Sequence, residues 1–494
     1  MPLALDLDTY ARDCERFVSE LDREYYLHFA GHKEEFEIEQ IYEQHASLFE
    51  RGVIAGLQER LGAGTGDEAR RVRYLLELAV GGLLGRETKR EEAELAEREA
   101  ALEIQVNGDR LPYRQSAVTQ ANETDPERRA AIEAARLDAL DRELNPLHLR
   151  ALERAHELAG ELGWSSYRDM YADLKQIDLQ ALERQTRAFL DASADTYAAR
   201  VDPHLRNQVG IGLTELRRSD LPYFFRAPGF DDLFPAERLI EALEQTLSGL
   251  GISLDEQRNV VLDTEQRPLK SPRAFCAPVH VPGEVYLVIP RQGGRDDYAA
   301  LFHEAGHTEH YAHVDASMPF EYRHLGDNSV TEGFAFLLEH LTEDPAWLAA
   351  TLGVTDAEEY DGYVRASKLI FLNRYAAKLA YELELHGGER DLSEMPGIYA
   401  GMLDAALAID WPARTWLSDV DPGFYVANYL RAWAFETRLR KLLRERFGPE
   451  WFTQPEAGDL LRGIWSEGQR LDADELLAQA TGERIDFAVM LDEV

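Results

Sequence analysis

Residues 303–307 read His-Glu-Ala-Gly-His, two imidazoles four positions apart with a carboxylate beside the first. On an α-helix a step of four residues leaves two side chains about 40° apart around the axis and about 6 Å apart along it. Both rings can therefore reach one ion from a single face. Glu304 projects about 100° away from His303. Its carboxylate would stand beside a metal-bound water rather than on the metal, placed to take the water's proton. Zinc accepts two imidazoles and a carboxylate and keeps a fourth position open for that water. With fourteen histidines in 494 residues, chance supplies this pentapeptide pattern roughly 0.07 times. The alternative is a His-rich surface helix that needs no ion, since His310 and His313 follow closely. Against it, Tyr298, Leu301 and Phe302 form an apolar face that should bury the helix, and buried imidazoles find partners.

A third ligand has two sources. One extends the motif to HExxHxxGxxH, the metzincin pattern, and His313 holds its last place. The glycine that turns the chain is His310 here, so the helix should run on and carry His313 about 15 Å from His303 along the axis. His313 is therefore set aside. The other source is a glutamate on a following helix, and GDNSVTEGFAFLLEHL offers Glu332 and Glu339, two turns apart on one face. Glu332 is the better candidate. However, Ser329-Val330-Thr331-Glu332 is also a capping-box pattern, in which the carboxylate would only satisfy a backbone N–H at the helix start. Glu339 is expected at the polar edge of the packing or behind a ligand histidine.

Several elements must hold these residues. In PRAFCAPVHVPGEVYLVIP the apolar residues are β-branched or aromatic and lean towards alternation. A hairpin is expected over 274–281 and 284–289, with Pro282-Gly283 in a type II turn. Gly293-Gly294 then breaks the chain, and Asp296 and Asp297 suit the start of the helix that carries the motif. From Leu7 to about Arg200 apolar residues recur at three-and-four spacing, so this half should be nearly all helix, with Arg86 to Glu103 a solvated stretch. Asn107-Gly108 through Pro112, Asn145-Pro146, and Pro222 to Pro235 punctuate the chain between helical blocks; the last, rich in aromatics, is expected as a packed loop.

At 494 residues the chain is long enough for about three domains or one large helical body. The expected division is an N-terminal helical region over 1–150, a helical lobe over 151–265 and, around the HExxH motif, a catalytic lobe over 266–494. Forty-five per cent hydrophobic and 29% charged residues mark a globular chain. The net charge of −38 repels polyanions, which argues against nucleic acid and anionic membrane as partners. Cys14 and Cys276 form neither a disulfide framework nor a thiolate metal spacing. The start MPLALDLDTYARDCERF has no secretory pattern and no run of about 18 apolar residues follows, so a cytoplasmic setting is expected.

The HEAGH helix, the 29-residue interval from His303 to Glu332 and the preceding AFCAPVHVPGEVYLVIP hairpin resemble the thimet oligopeptidase and oligoendopeptidase F family of zinc metallopeptidases. Angiotensin-converting enzyme is a more distant likeness. Phe424-Tyr425-Val426-Ala427-Asn428-Tyr429 resembles the aromatic FYVYxY stretch of oligoendopeptidase F, whose tyrosines hydrogen-bond the tetrahedral intermediate. The likeness spans about residues 150 to 494. It implies Zn²⁺ on His303, His307 and Glu332, Glu304 as general base, and Tyr425 and Tyr429 as oxyanion donors. It also implies a mostly helical, elongated, two-lobed body with a deep central channel, a small β-hairpin beside the HExxH helix, and short peptides as substrates that pair with a strand edge. Two departures stand out. SDVDPG, with Asp421, replaces the upstream histidine of the family, and Ala427 replaces the middle tyrosine, so transition-state stabilisation would rest on fewer groups. Core packing beside Leu430 and Trp433 is the other reading of Tyr425 and Tyr429. An enzyme of the peptidyl-dipeptidase or carboxypeptidase type would need a cation for the substrate carboxylate, with Arg431 or Lys378 as candidates. A peptide-binding homologue with weakened chemistry is the remaining alternative.

Overall fold

A computed structural model describes residues 6–290 and 292–494. The opening MPLAL, part of the stretch without a secretory pattern, lies outside the described residues. The fold is mostly helical with two small sheets, as expected from the periodicity. No helix among the described residues is long and apolar enough to cross a membrane.

The chain divides into two compact units. One comprises Met1–Gly82, Phe230–Asp361 and Arg431–Val489; the other comprises Leu83–Gly229, Gly362–Leu430 and Met490–Val494. Positions 150 and 265, where the expected division falls, each lie inside one of these units.

In the second unit the expected all-helical half is interrupted. Strands β1 (Glu103–Val106) and β2 (Asp109–Pro112) pair antiparallel around Asn107-Gly108, both with left-handed backbones. Asn-Gly is the residue pair that a two-residue hairpin turn selects, which overrides the helical surroundings. Ile104 and Val106 bury against Ile132, Leu140 and Leu144. The Pro222 to Pro235 passage also differs from a loop. It contains a short helix, Leu221–Arg226, and a 3₁₀ stretch, Pro228–Leu233, with Phe224, Phe230 and Phe234 buried.

The first unit holds a three-stranded sheet. β4 (Phe275–His280) and β5 (Glu284–Val288) form the expected hairpin within a residue at each end. The turn is not type II, because Gly283 has no left-handed φ and the Val281–Pro282 bond is cis. A third strand, β3 (Val260–Asp263), adds parallel to β5, giving the order β3-β5-β4. One face of the sheet packs on the first helix, Leu7–Phe29. Tyr26 and Ala30 meet Ala277, Val279 and Val288, and the Tyr26 ring stacks on Tyr286 at 3.7 Å. Arg23 clamps Glu284 through two hydrogen bonds of 3.0 and 2.7 Å.

The HExxH helix spans Arg295–Ala312 and follows the Gly293-Gly294 break. Asp297 accepts the N–H groups of Gln292 and Gly293, so the acidic start fixes the entering chain. The apolar face is buried as expected: Tyr298, Leu301 and Phe302 are inaccessible, and Phe302 meets Trp347 edge to face. The next long partner is the Glu332 helix, Asn328–Glu339.

Candidate metal centre

The HExxH helix and the Glu332 helix run antiparallel. The later residue of one pairs with the earlier residue of the other: His303 Nδ1 lies 2.8 Å from Glu339 Oε2, and His307 Nδ1 lies 2.8 Å from Thr331 Oγ1. Between these contacts sits Gly306. A Cβ there would come within 2.3 Å of the Phe334 carbonyl oxygen and 2.5 Å of the Ala335 Cα. The missing side chain is what lets the backbones approach closely enough for the imidazoles to face Glu332.

With both Nδ1 atoms engaged, the Nε2 atoms point to one place. His303 Nε2 is 3.5 Å and His307 Nε2 3.8 Å from Glu332 Oε2. The ligand atoms of His303, His307 and Glu332 all lie within 4.8 Å of one another. Ligand atoms about 2.0–2.2 Å from a tetrahedral ion stand roughly 3.3–3.5 Å apart, so the trio fits a divalent cation with slight contraction. The donor set of two imidazoles and a carboxylate suits zinc without being exclusive to it.

The capping alternative for Glu332 is overturned. The N-cap is Asp327, whose Oδ1 accepts the Ser329 N–H at 2.9 Å, and Glu332 stands further into the helix. Asp327 is held by Arg431 at 2.6 Å and by the Ala473 N–H at 3.0 Å, partners about 100 and 150 residues away. His313 closes the HExxH helix as its C-cap, 2.8 Å from the Glu309 carbonyl and against Trp465, and takes no part in the cluster. Glu339 stands behind His303, one of its two expected positions.

Glu304 turns towards the sheet, where its Oε2 accepts the Cys276 N–H of β4 at 2.8 Å. That N–H belongs to the outer edge of the strand order, and Pro278 two residues on has none to offer. Burial pushes the Glu304 carboxyl up to about 7, against the opposing pull of His303 and the Cys276 N–H. Burial lowers His307 to about 4. Burial would also lower His303, but the nearby Glu332 carboxylate at 3.5 Å and the hydrogen bond with Glu339 outweigh that and raise it well above the ordinary value.

Tyr425 and Tyr429 belong to the second unit. They stand one helical turn apart, half-buried, with ring centroids 4.9 Å apart. The core-packing face of this helix is the other one, carrying the fully buried Val426, Ala427 and Leu430. Ala427 thus lies off the tyrosine face, since two residues turn a helix by about 200°. Just before it, Asp421 pairs with Lys378 at 2.9 Å and gives its N–H to Glu382 at 2.9 Å. Both candidate carboxylate clamps are therefore committed: Lys378 to Asp421 and Arg431 to Asp327, each buried.

Thr331 is the site residue that sequence reasoning did not single out. Its only signal was a hydroxyl next to the candidate ligand, and its role depends on the register of two antiparallel helices. No protein-family model and no curated protein matches the chain.

Proposed function

We propose that the chain is a zinc-dependent oligopeptidase that hydrolyses short peptides. The observation that carries this reading is the convergence of His303 Nε2, His307 Nε2 and Glu332 Oε2, with both Nδ1 atoms engaged elsewhere and Glu304 alongside. A zinc ion held by these three residues supplies Lewis acidity, polarising a peptide carbonyl and bringing the pKa of coordinated water towards about 7.

The chain's own groups then manage the proton. Glu304 accepts it from the attacking water at its carboxylate and returns it to the leaving amine nitrogen. The Cys276 N–H fixes the carboxylate's direction.

A carboxypeptidase-type reading is less well supported, since Arg431 and Lys378 are both ion-paired inside the protein. Cleavage of C-terminally amidated peptides separates the two, because an endopeptidase tolerates amidation. The direct test of the proposal is Glu304→Gln. It should keep zinc bound while turnover of a quenched short peptide falls by about 10²- to 10⁴-fold. Unchanged turnover would overturn the assignment, and chelator-insensitive turnover would remove the metal from the reaction.

A further inference from the structure

Six large apolar side chains stand exposed among the described residues, and three of them, Tyr25, Phe29 and Leu269, belong to one stretch of surface. Tyr25 and Phe29 stack with ring centroids 5.8 Å apart, and Phe36 meets both edge to face at 5.2 and 5.3 Å. The chain at Leu269 runs beside the end of the first helix: Gly31 abuts the Leu269 backbone, and the Ser271 N–H donates to the Phe29 carbonyl at 2.7 Å. Despite these contacts Tyr25 and Phe29 keep 37% and 36% of their surface exposed. Rings that pack on one another and still face water form a platform for a further apolar group.

The platform continues to the candidate metal centre through β4. The Phe29 ring meets Phe275, the first residue of that strand, edge to face at 6.4 Å. The next residue, Cys276, gives its N–H to Glu304. In a strand the N–H groups lie in the plane of the sheet while successive side chains turn to opposite faces. Glu304 therefore stands off the β4 edge, in line with the sheet, and Phe275 turns to the face that the first helix covers, where it packs against the Tyr26, Ala277 and Val279 cluster. An extended peptide with its scissile bond at Glu304 lies beside this edge, and its own side chains alternate between the same two faces. Those on the first-helix side meet Phe275 and, beyond it, Phe29 and Tyr25.

Resting on the peptidase reading above, we infer that Phe275, Phe29 and Tyr25 are specificity-determining residues: they take an apolar or aromatic side chain of the substrate close to the cleaved bond. Half-covering a phenyl group in this way favours its peptide by about tenfold.

The test uses quenched peptides of one neutral sequence in which a single Phe replaces Gly at each position in turn, with the cleaved bond mapped by mass spectrometry. The parent chain should prefer Phe to Gly at one position near that bond by about tenfold in kcat/KM. Phe29→Ser and Tyr25→Ser should each lower this ratio by about threefold or more, mainly through KM, and Phe29→Leu, which keeps an apolar side chain, should retain most of it. A ratio unchanged in both serine variants would overturn the inference, as would a parent that cleaves with no preference at any position. A dimer that Phe29→Ser dissociates in light scattering, with the ratio unchanged, would overturn it in favour of self-association. Should Phe29→Ser fail to fold, Tyr25→Ser decides. A parent chain that cleaves none of the peptides would instead overturn the peptidase reading beneath it.

Discussion

Adding one methyl group at Gly306 perturbs the centre without touching any proposed ligand. The Cβ of Gly306→Ala would stand 2.3 Å from the Phe334 carbonyl oxygen and 2.5 Å from the Ala335 Cα, both backbone atoms of the helix that carries Glu332. Ordinary contact begins near 3.4 Å, so the two helices must part by about 1 Å. Overpacking of this kind costs about 1–3 kcal/mol. The same displacement carries His303 and His307 away from Glu332 by several times the about 0.2 Å within which metal–ligand distances normally fall. Zinc affinity should therefore fall by more than about tenfold, together with the loss of stability. Denaturant unfolding of the metal-free protein and zinc competition titration read the two effects separately. Gly160→Ala provides the control, since its Cβ meets nothing within 4 Å and alanine is favoured over glycine in a helix by about 0.5–1 kcal/mol. Gly306→Ala with parental stability and zinc affinity would refute the close-approach argument.

Two further outcomes concern protons. Glu332 and Glu339 keep His303 protonated in the metal-free protein, so an entering cation must displace that proton. Zinc affinity should accordingly rise with pH through neutrality, by up to about tenfold per pH unit, in titrations at several pH values; a flat profile would contradict this. Glu436, fully buried, is bonded by Arg440 at 2.6 Å and His340 at 2.9 Å. Burial alone would raise its carboxyl, but these partners outweigh burial and hold it well below the ordinary range. A carboxyl depressed in the folded state contributes stability above its unfolded value of about 4.3 and loses it as the pH falls towards the folded value. Glu436→Gln should thus be most destabilising near neutral pH and progressively less so below about pH 4, measured by denaturant unfolding. A stability difference that stays constant across that range would refute the pairing.

The HExxH helix was legible because everything that defines it is local: two glycines before it, aspartates in its first turn, an apolar stripe and two histidines one turn apart. The hairpin of β4 and β5 was legible for the same reason. Glu332 was ambiguous because its tetrad resembles a cap, and the residue that caps instead is Asp327, chosen by Arg431 and Ala473 far along the chain. β3 escaped notice because four residues with no alternation gain their place only by pairing parallel to a strand more than twenty residues later. Thr331 needed the register of two helices, which no spacing within either one encodes. The Asn107-Gly108 hairpin, by contrast, carried a readable turn signal that the helical periodicity around it outweighed. The first helix offered an amphipathic face and no hint that this face covers the sheet beside the centre.

The central claim is that His303, His307 and Glu332 hold one ion and that peptide hydrolysis depends on it. Equilibrium dialysis of the metal-stripped chain against zinc, with quenched-peptide cleavage measured in the same samples, tests this most directly. The account predicts one zinc per chain, turnover that rises in step with occupancy, and loss of both in His307→Ala. Fully loaded protein that leaves the peptide intact, or undiminished zinc binding in His307→Ala, would contradict it.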